Sequence, residues 1–334
     1  PLIEIVRRVN ALNDVNMQQY AVDRLRVRAR QMKTAGRDLI GRALYGLQKA
    51  VSSLIADKYT QLRHSPKLPD NVAEQIRQLV RPGDVFVNRK EHAFTNYFLP
   101  GYWPHAAFYI GQTSQLERLG IAAHENGQPR WRRLLDCDSN EPGRVVEAMK
   151  DGVWIRSLAS PFTADAITVI RPRLREQDVA QAIGRALFHD GKSYDFDFDF
   201  TRSDRMVCTE VVFRTYGGNS GVIQFPLEEI MGRQTMPAIN LVQKFDREYG
   251  TDAAQFEFVA FIDGDEQTES SRFITDVQKF RDTVDRPASS FTQGSDPLAL
   301  KSIGPLGRTL LSLTVLAAVA GLATILMGRV RSKK

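Results

Sequence analysis

The chain has 334 residues, 43% hydrophobic and 25% charged, an ordinary globular balance with room for one sizeable domain plus appendages. Its formal charge of +6 is unevenly placed: residues 1–60 and 301–334 each carry +6, and the body between them carries −6. An acidic body with basic ends argues against a nucleic-acid partner and fits either an anionic membrane surface or simply solvated Arg-rich helices; two cysteines, Cys137 and Cys208, are too few for a disulfide scaffold.

Residues 1–60 read as helical, and Ile40, Leu44, Leu47, Val51 and Leu54 form one apolar seam that packs on the body or on a second copy of the chain. The prolines of "HSPKLPD" (64–70) end this region, and "NVAEQIRQLV" makes a short helix. "RPGDVFVN" is a turn feeding a strand, with Asp84 a turn residue, and "HAAFYIG" is a second strand. The polar stretch 112–143 reads as a long insertion, and "RVVEA" and "VWIRSL" form a hairpin around "MKDG". "AITVIRP" is another strand, and "EQDVAQAIGRALFHDG" is an amphipathic helix stopped by glycine. "YDFDFDF" alternates as a strand does, and "CTEVVFRTYGG" is a short helix stopped by glycine. "FEFVAFIDG" is expected to be the last strand, 267–286 a helix, and "RPASSFTQGSDPLALKSIGPLG" a linker. Strands and helices alternate without a regular βαβ rhythm, so the fold class is α+β.

The tail "TLLSLTVLAAVAGLATILMG" (309–328) is 20 residues without a charge, bounded by Arg308 and by Arg329, Arg331, Lys333 and Lys334. A helix of that length spans about 30 Å, the thickness of a bilayer core. It reads as a single-pass C-terminal anchor into a lipid bilayer. The basic "RVRSKK" favours a cytoplasmic tail, whereas tail-anchored insertion would give the opposite orientation.

Two residue types carry chemistry. Cys208 opens a helix, where the positive dipole end and free N–H groups favour a thiolate. His105 opens a strand after "GYWP". If that strand pairs near the helix start, the imidazole can take the thiol proton. Spacing alone leaves this open against a core histidine and an inert cysteine.

The run "RPGDVFV…PGYWPHAAFYIG…VVEAMKDGVWIRSL…YDFDFDF…VCTEVVFRTYGG" resembles the permuted NlpC-like papain-fold hydrolases, the YiiX-like group, from about 81 to 265. In that group the histidine strand precedes the cysteine helix, as here. The resemblance implies a circularly permuted papain-like fold, with an antiparallel sheet or half-barrel packed on the cysteine helix. It implies a thiol hydrolase with Cys208 as nucleophile, His105 as general base and Glu147 as the acid that orients the imidazole; from the residues alone, Glu147 is equally an edge-strand carboxylate facing water. Tyr194 matches the tyrosine lining the family cleft. Tyr102 and Trp103, just ahead of His105, complete the expected substrate-binding set.

The domains are then 1–80, an N-terminal helical region; 81–266, the hydrolase; 267–302, helix and linker; and 303–334, the anchor. Amides, in peptides or other small acyl-amide linkages, are the substrate class the resemblance implies. The lecithin–retinol acyltransferase group shares the permuted order and acts on lipids, but its third residue is typically a histidine where Glu147 stands. A non-enzymatic anchored interaction module is the remaining alternative. No cofactor or metal is expected. Asp195, Asp197 and Asp199 fit a solvated strand face better than a cation site, and no zinc spacing links the histidines to a cysteine. His64, His124 and His189 read as surface residues, His92 as a minor cleft candidate, and Cys137 as a spare thiol.

Overall fold

The structure is a computed structural model that describes residues 65–288, apart from 92, 94–95, 97–98, 137–139, 197, 219–220, 231–232 and 266–269. The 40–54 seam, His64, His92, Cys137, Asp197, most of the linker and the 309–328 segment lie outside the described residues. Among the described residues no helix is long and apolar enough to cross a membrane.

In chain order the elements are α1 (Asp70–Leu79), β1 (Val85–Arg89), β2 (His105–Gln112), α2 (Thr113–Arg118), α3 (Trp131–Leu135), β3 (Gly143–Met149), β4 (Gly152–Ser157) and α4 (Ala159–Phe162). They continue with β5 (Ala166–Pro172), α5 (Glu176–Phe188), β6 (Ser193–Tyr194), β7 (Arg205–Met206) and α6 (Cys208–Thr215). The last are β8 (Glu228–Ile230), β9 (Arg233–Thr235), α7 (Ile239–Glu248), β10 (Phe256–Asp265), β11 (Ser270–Ile274) and α8 (Val277–Arg281). Seven strands form one sheet in the order β11-β10-β5-β1-β2-β3-β4, with every neighbouring pair antiparallel.

Strand alternation sends side chains to two covered faces. Val85, Val87, Phe108 and Val146 meet the apolar faces of α5, α6 and α7. Phe86, Tyr109, Val145 and Val169 meet α1 and Phe162 of α4. Strands buried on both sides read as near-continuous apolar runs, and each fully buried Val, Ile or Phe contributes about 1.5–3 kcal/mol.

Asp84 is a turn residue, as the sequence suggests. Its carboxylate accepts from the Arg81 N–H at 2.8 Å and from both Nε and an NH2 of Arg171 at 2.8 Å, which ties the start of β1 to β5. Gly83 takes φ +97°, a conformation that favours glycine. The 112–143 insertion is not a bare loop: Leu116, Ile121 and Leu134 anchor it in the core. The expected helix over 267–286 is instead β11 followed by α8, because Ile274, Phe273 and their neighbours pair with β10 before the helix starts. The strand "FEFVAFIDG" is therefore not the last.

Tyr102 and Trp103 are core residues, which corrects their expected place in a substrate cleft. Trp103 is 0% exposed, its ring packs edge-on against Tyr102, Phe261 and Phe280, and its indole N–H donates to Thr283 Oγ1 at 2.9 Å. The Tyr102 ring lies between the Arg89 and Arg286 guanidinium groups, and its hydroxyl donates to Glu91 Oε1 at 3.3 Å. An indole whose N–H already has a buried acceptor presents nothing to a ligand. Trp103→Ala is expected to cost about 3–5 kcal/mol of stability, read by urea unfolding. An unchanged midpoint would show that the ring is not a core residue.

Candidate active site

Cys208 is the first residue of α6, after Val207 in extended conformation (φ −95°, ψ 169°). Val211, Val212 and Thr215 bury the helix against the sheet, and α6 packs on β2 and β3. Gly217, at φ +101°, ends it; a Cβ there would stand 2.7 Å from Gly221 Cα. The thiol is 6% exposed. Burial disfavours its ionisation. The neighbouring His105 charge and hydrogen bond, with the backbone N–H groups of Ala106 and Thr209, more than offset this and hold the thiol below its ordinary value.

His105 is the first residue of β2, opposite Asn88 of β1, with a side chain 26% exposed. Its Nε2 meets Glu147 Oε2 at 2.9 Å, which leaves Nδ1 for the Cys208 thiol. Burial opposes the imidazolium, but Cys208 and Glu147 together push the ring up to about 10. The directions agree: each partner favours the charged form of the other, with the Glu147 carboxylate behind the imidazole.

Glu147 sits inside β3 with 1% side-chain exposure, so it is not an edge carboxylate facing water. Phe108 pairs with Val146 and Tyr109 with Val145. That register carried along the strands makes His105 and Glu147 diagonal neighbours on one face. Burial works against the carboxylate; His105, Ser160 and Arg156 outweigh it and keep the group below the ordinary carboxylate range. Ser160 Oγ donates to Glu147 Oε1, and Arg156 Nε stands 3.5 Å from the same oxygen.

Sequence reasoning missed Ser160 and Arg156. Arg156 was within reach of it: Glu147 pairs with Trp154 and Val145 with Arg156, so the hairpin register places Arg156 diagonal to Glu147. Ser160 lies in α4 beyond the hairpin, where no periodicity points at β3.

Tyr194 lies opposite Met206, two residues before Cys208, in the parallel β6–β7 pair. Burial, with the Cys208 and Asp195 charges nearby, pushes its phenol well above the ordinary value. Its ring packs against Phe196 and Phe198 at centroid distances of 4.9 and 6.3 Å.

The alternation "YDFDFDF" does not continue as a strand. Phe198 has φ +54°, and Asp195 is 0% exposed rather than on a solvated face. Its carboxylate accepts from the Asp199 N–H at 2.8 Å, and Asp199 in turn accepts from Thr201 N and Oγ1 at 3.0 and 2.7 Å. These acids build a turn, as aspartates do. His189 is also not a surface residue: it is 7% exposed, and burial, with Lys192, Arg214 and Arg130 nearby, pushes it down to about 3. His124 is half-buried against Gly184 of α5, where a Cβ would meet the imidazole at 2.3 Å. Among the described residues no group of three or more His, Cys, Asp or Glu side chains could hold a metal ion.

The family model of permuted papain-like amidase enzymes, YaeF/YiiX, C92 family, matches residues 79–273. The chain belongs to this family. It is therefore a papain-like, cysteine-dependent hydrolase, and the match spans every element that carries His105, Glu147 and Cys208. Among solved structures, the crystal structure described as metalloprotein yiiX from Escherichia coli O157:H7 is 16% identical, covering 59% of this chain and 97% of that one, with a TM-score of 0.33. No curated protein matches.

Proposed function

We propose that this C92-family chain hydrolyses amide bonds through Cys208, His105 and Glu147. The observation that carries the reading is the position of His105, bonded through Nε2 to a buried carboxylate and close enough to Cys208 for the two groups to shift each other's ionisation. Cys208 Sγ attacks the substrate carbonyl as thiolate, and His105 holds the proton. The backbone N–H at the α6 terminus faces the developing oxyanion. His105 passes its proton to the leaving amine, which departs and leaves a thioester on Cys208. His105 then takes a proton from water, the resulting hydroxide attacks the thioester, and the acid product leaves as the thiolate is restored. Glu147 holds the imidazole orientation and stabilises its charge, as the acidic member of such triads does. Tyr194 lines the side of the cleft next to the thiol.

Residues 309–328 are read as the anchor that holds the hydrolase at a bilayer, with the basic flanks against anionic headgroups; the uncharged run supports this.

The full chain is to be incubated with paired amide and ester acyl donors and Cys208 examined by mass spectrometry. An acyl adduct on Cys208 with faster turnover of amides is expected. Turnover confined to lipid esters would replace the amidase reading with a lipid acyl hydrolase, and absence of any adduct would remove the acyl-enzyme. Glu147→Gln keeps the shape but loses the charge behind His105. It is expected to reduce turnover by up to about 10⁴-fold, less than loss of either other residue. Wild-type turnover in Glu147→Gln would remove the acid from the mechanism.

A further inference from the structure

Two residues beyond Cys208, the same helix buries a second carboxylate that the reaction above does not use. Glu210 has 0% side-chain exposure in the first turn of α6. Its Oε1 accepts from Arg214 Nε at 2.7 Å, and its Oε2 is buried without a hydrogen-bond partner among the described residues. Arg214 reaches beyond the helix: a terminal nitrogen donates to the Phe200 carbonyl at 2.9 Å and to the Arg202 carbonyl at 2.7 Å. Both carbonyls belong to the loop between Tyr194 and β7. One guanidinium thus spans from a carboxylate in the turn of Cys208 to the loop that follows the tyrosine beside the thiol. A planar fork can make such a span; a lysine ammonium cannot reproduce it.

The titratable groups facing this pair come from three further segments. Asp195, after β6, disfavours the Glu210 charge; Lys192, in the turn before β6, faces both Glu210 and Arg214; His189, at the end of α5, faces Arg214. Arg205 of β7 stands 3.9 Å from Asp195. Burial raises Glu210 to about 7, with Arg214 opposing the shift, so the carboxyl is ionised above neutrality and protonated below it.

We propose that Glu210 and Arg214 are a positioning pair that ties residues 198–204 to the turn carrying Cys208, and that proton uptake by Glu210 unties them. Above neutrality the charged carboxylate holds the guanidinium by a charge-assisted hydrogen bond. Below it the neutral acid is a weaker partner, and the carbonyls of Phe200 and Arg202 lose a fixed donor. The consequence for hydrolysis rests on Cys208 being the nucleophile; the tie itself does not.

The test is hydrogen exchange of the 198–204 amides in the full chain at about pH 8 and about pH 6, corrected for intrinsic exchange. A carboxyl titrating near 7 loses about tenfold in ionised fraction over that span, and loop protection is expected to fall with it. Glu210→Gln and Arg214→Lys are expected to show the low-pH protection at both values. Wild-type protection at pH 8 in either folded variant overturns the proposal, and if Glu210→Gln does not fold by near-UV circular dichroism, Arg214→Lys decides alone. Iodoacetamide labelling of Cys208 in His105→Ala separates the two readings: labelling identical to wild type would sink the nucleophile pair while leaving the exchange result to judge the tie.

Discussion

Cys208→Ala is expected to abolish hydrolysis by at least about 10⁴-fold while leaving the fold intact. Without the sulfur no thioester forms, and what remains is binding and the oxyanion environment, which in such enzymes leaves only slight turnover over water. The fold is expected to persist because α6 is held by Val211, Val212 and Thr215, not by the thiol. Alanine at the first helical position keeps the backbone, and losing one buried sulfur costs about 1 kcal/mol. The check is turnover of the best acyl donor alongside thermal unfolding. Wild-type turnover in a folded Cys208→Ala chain would reassign the nucleophile.

The second large effect concerns the thiol itself. In the wild-type chain, iodoacetamide is expected to alkylate Cys208 well below the ordinary thiol value of about 8.5. The sign follows from the two shifts. Cys208 is held low, so the thiolate persists down to a pH below that of a free thiol; His105 is held high, near 10, so the imidazolium that stabilises it persists across the neutral range and is lost only as the pH rises through that value. His105→Ala removes the cation and the hydrogen bond and leaves burial, which raises the thiol. Alkylation of Cys208 is therefore expected to move up by more than about one pH unit, at least a tenfold loss of rate at neutral pH. Peptide mapping separates it from Cys137. An unshifted profile would make the N–H groups of Ala106 and Thr209 the source of the low thiol value and would leave His105 without its role.

Both predictions start from residues that local sequence made visible. The apolar runs of β1, β2 and β5, the hairpin around "MKDG" and the glycine-stopped cysteine helix are legible because burial periodicity and turn chemistry are properties of a few consecutive residues. The order of histidine strand before cysteine helix is likewise a linear fact, and it carried the family. Three things were not local. Tyr102 and Trp103 stand beside His105 in the chain, yet their rings turn into a core completed by Phe280 and Thr283, about 180 residues later. The "YDFDFDF" alternation mimics a strand, but Asp195 bonds its own backbone four residues on and curls it into a turn. Ser160 reaches Glu147 only because α4 folds back over the hairpin.

By itself, then, the sequence determined the element types along most of the body and the identity of the chemically capable side chains, since both depend on neighbours within one turn or one strand. Only the tertiary structure decided which of those side chains meet, because a carboxylate and a thiol, 42 and 103 residues along the chain from the imidazole of His105, are brought to it by strand register and by burial from segments the chain adds later.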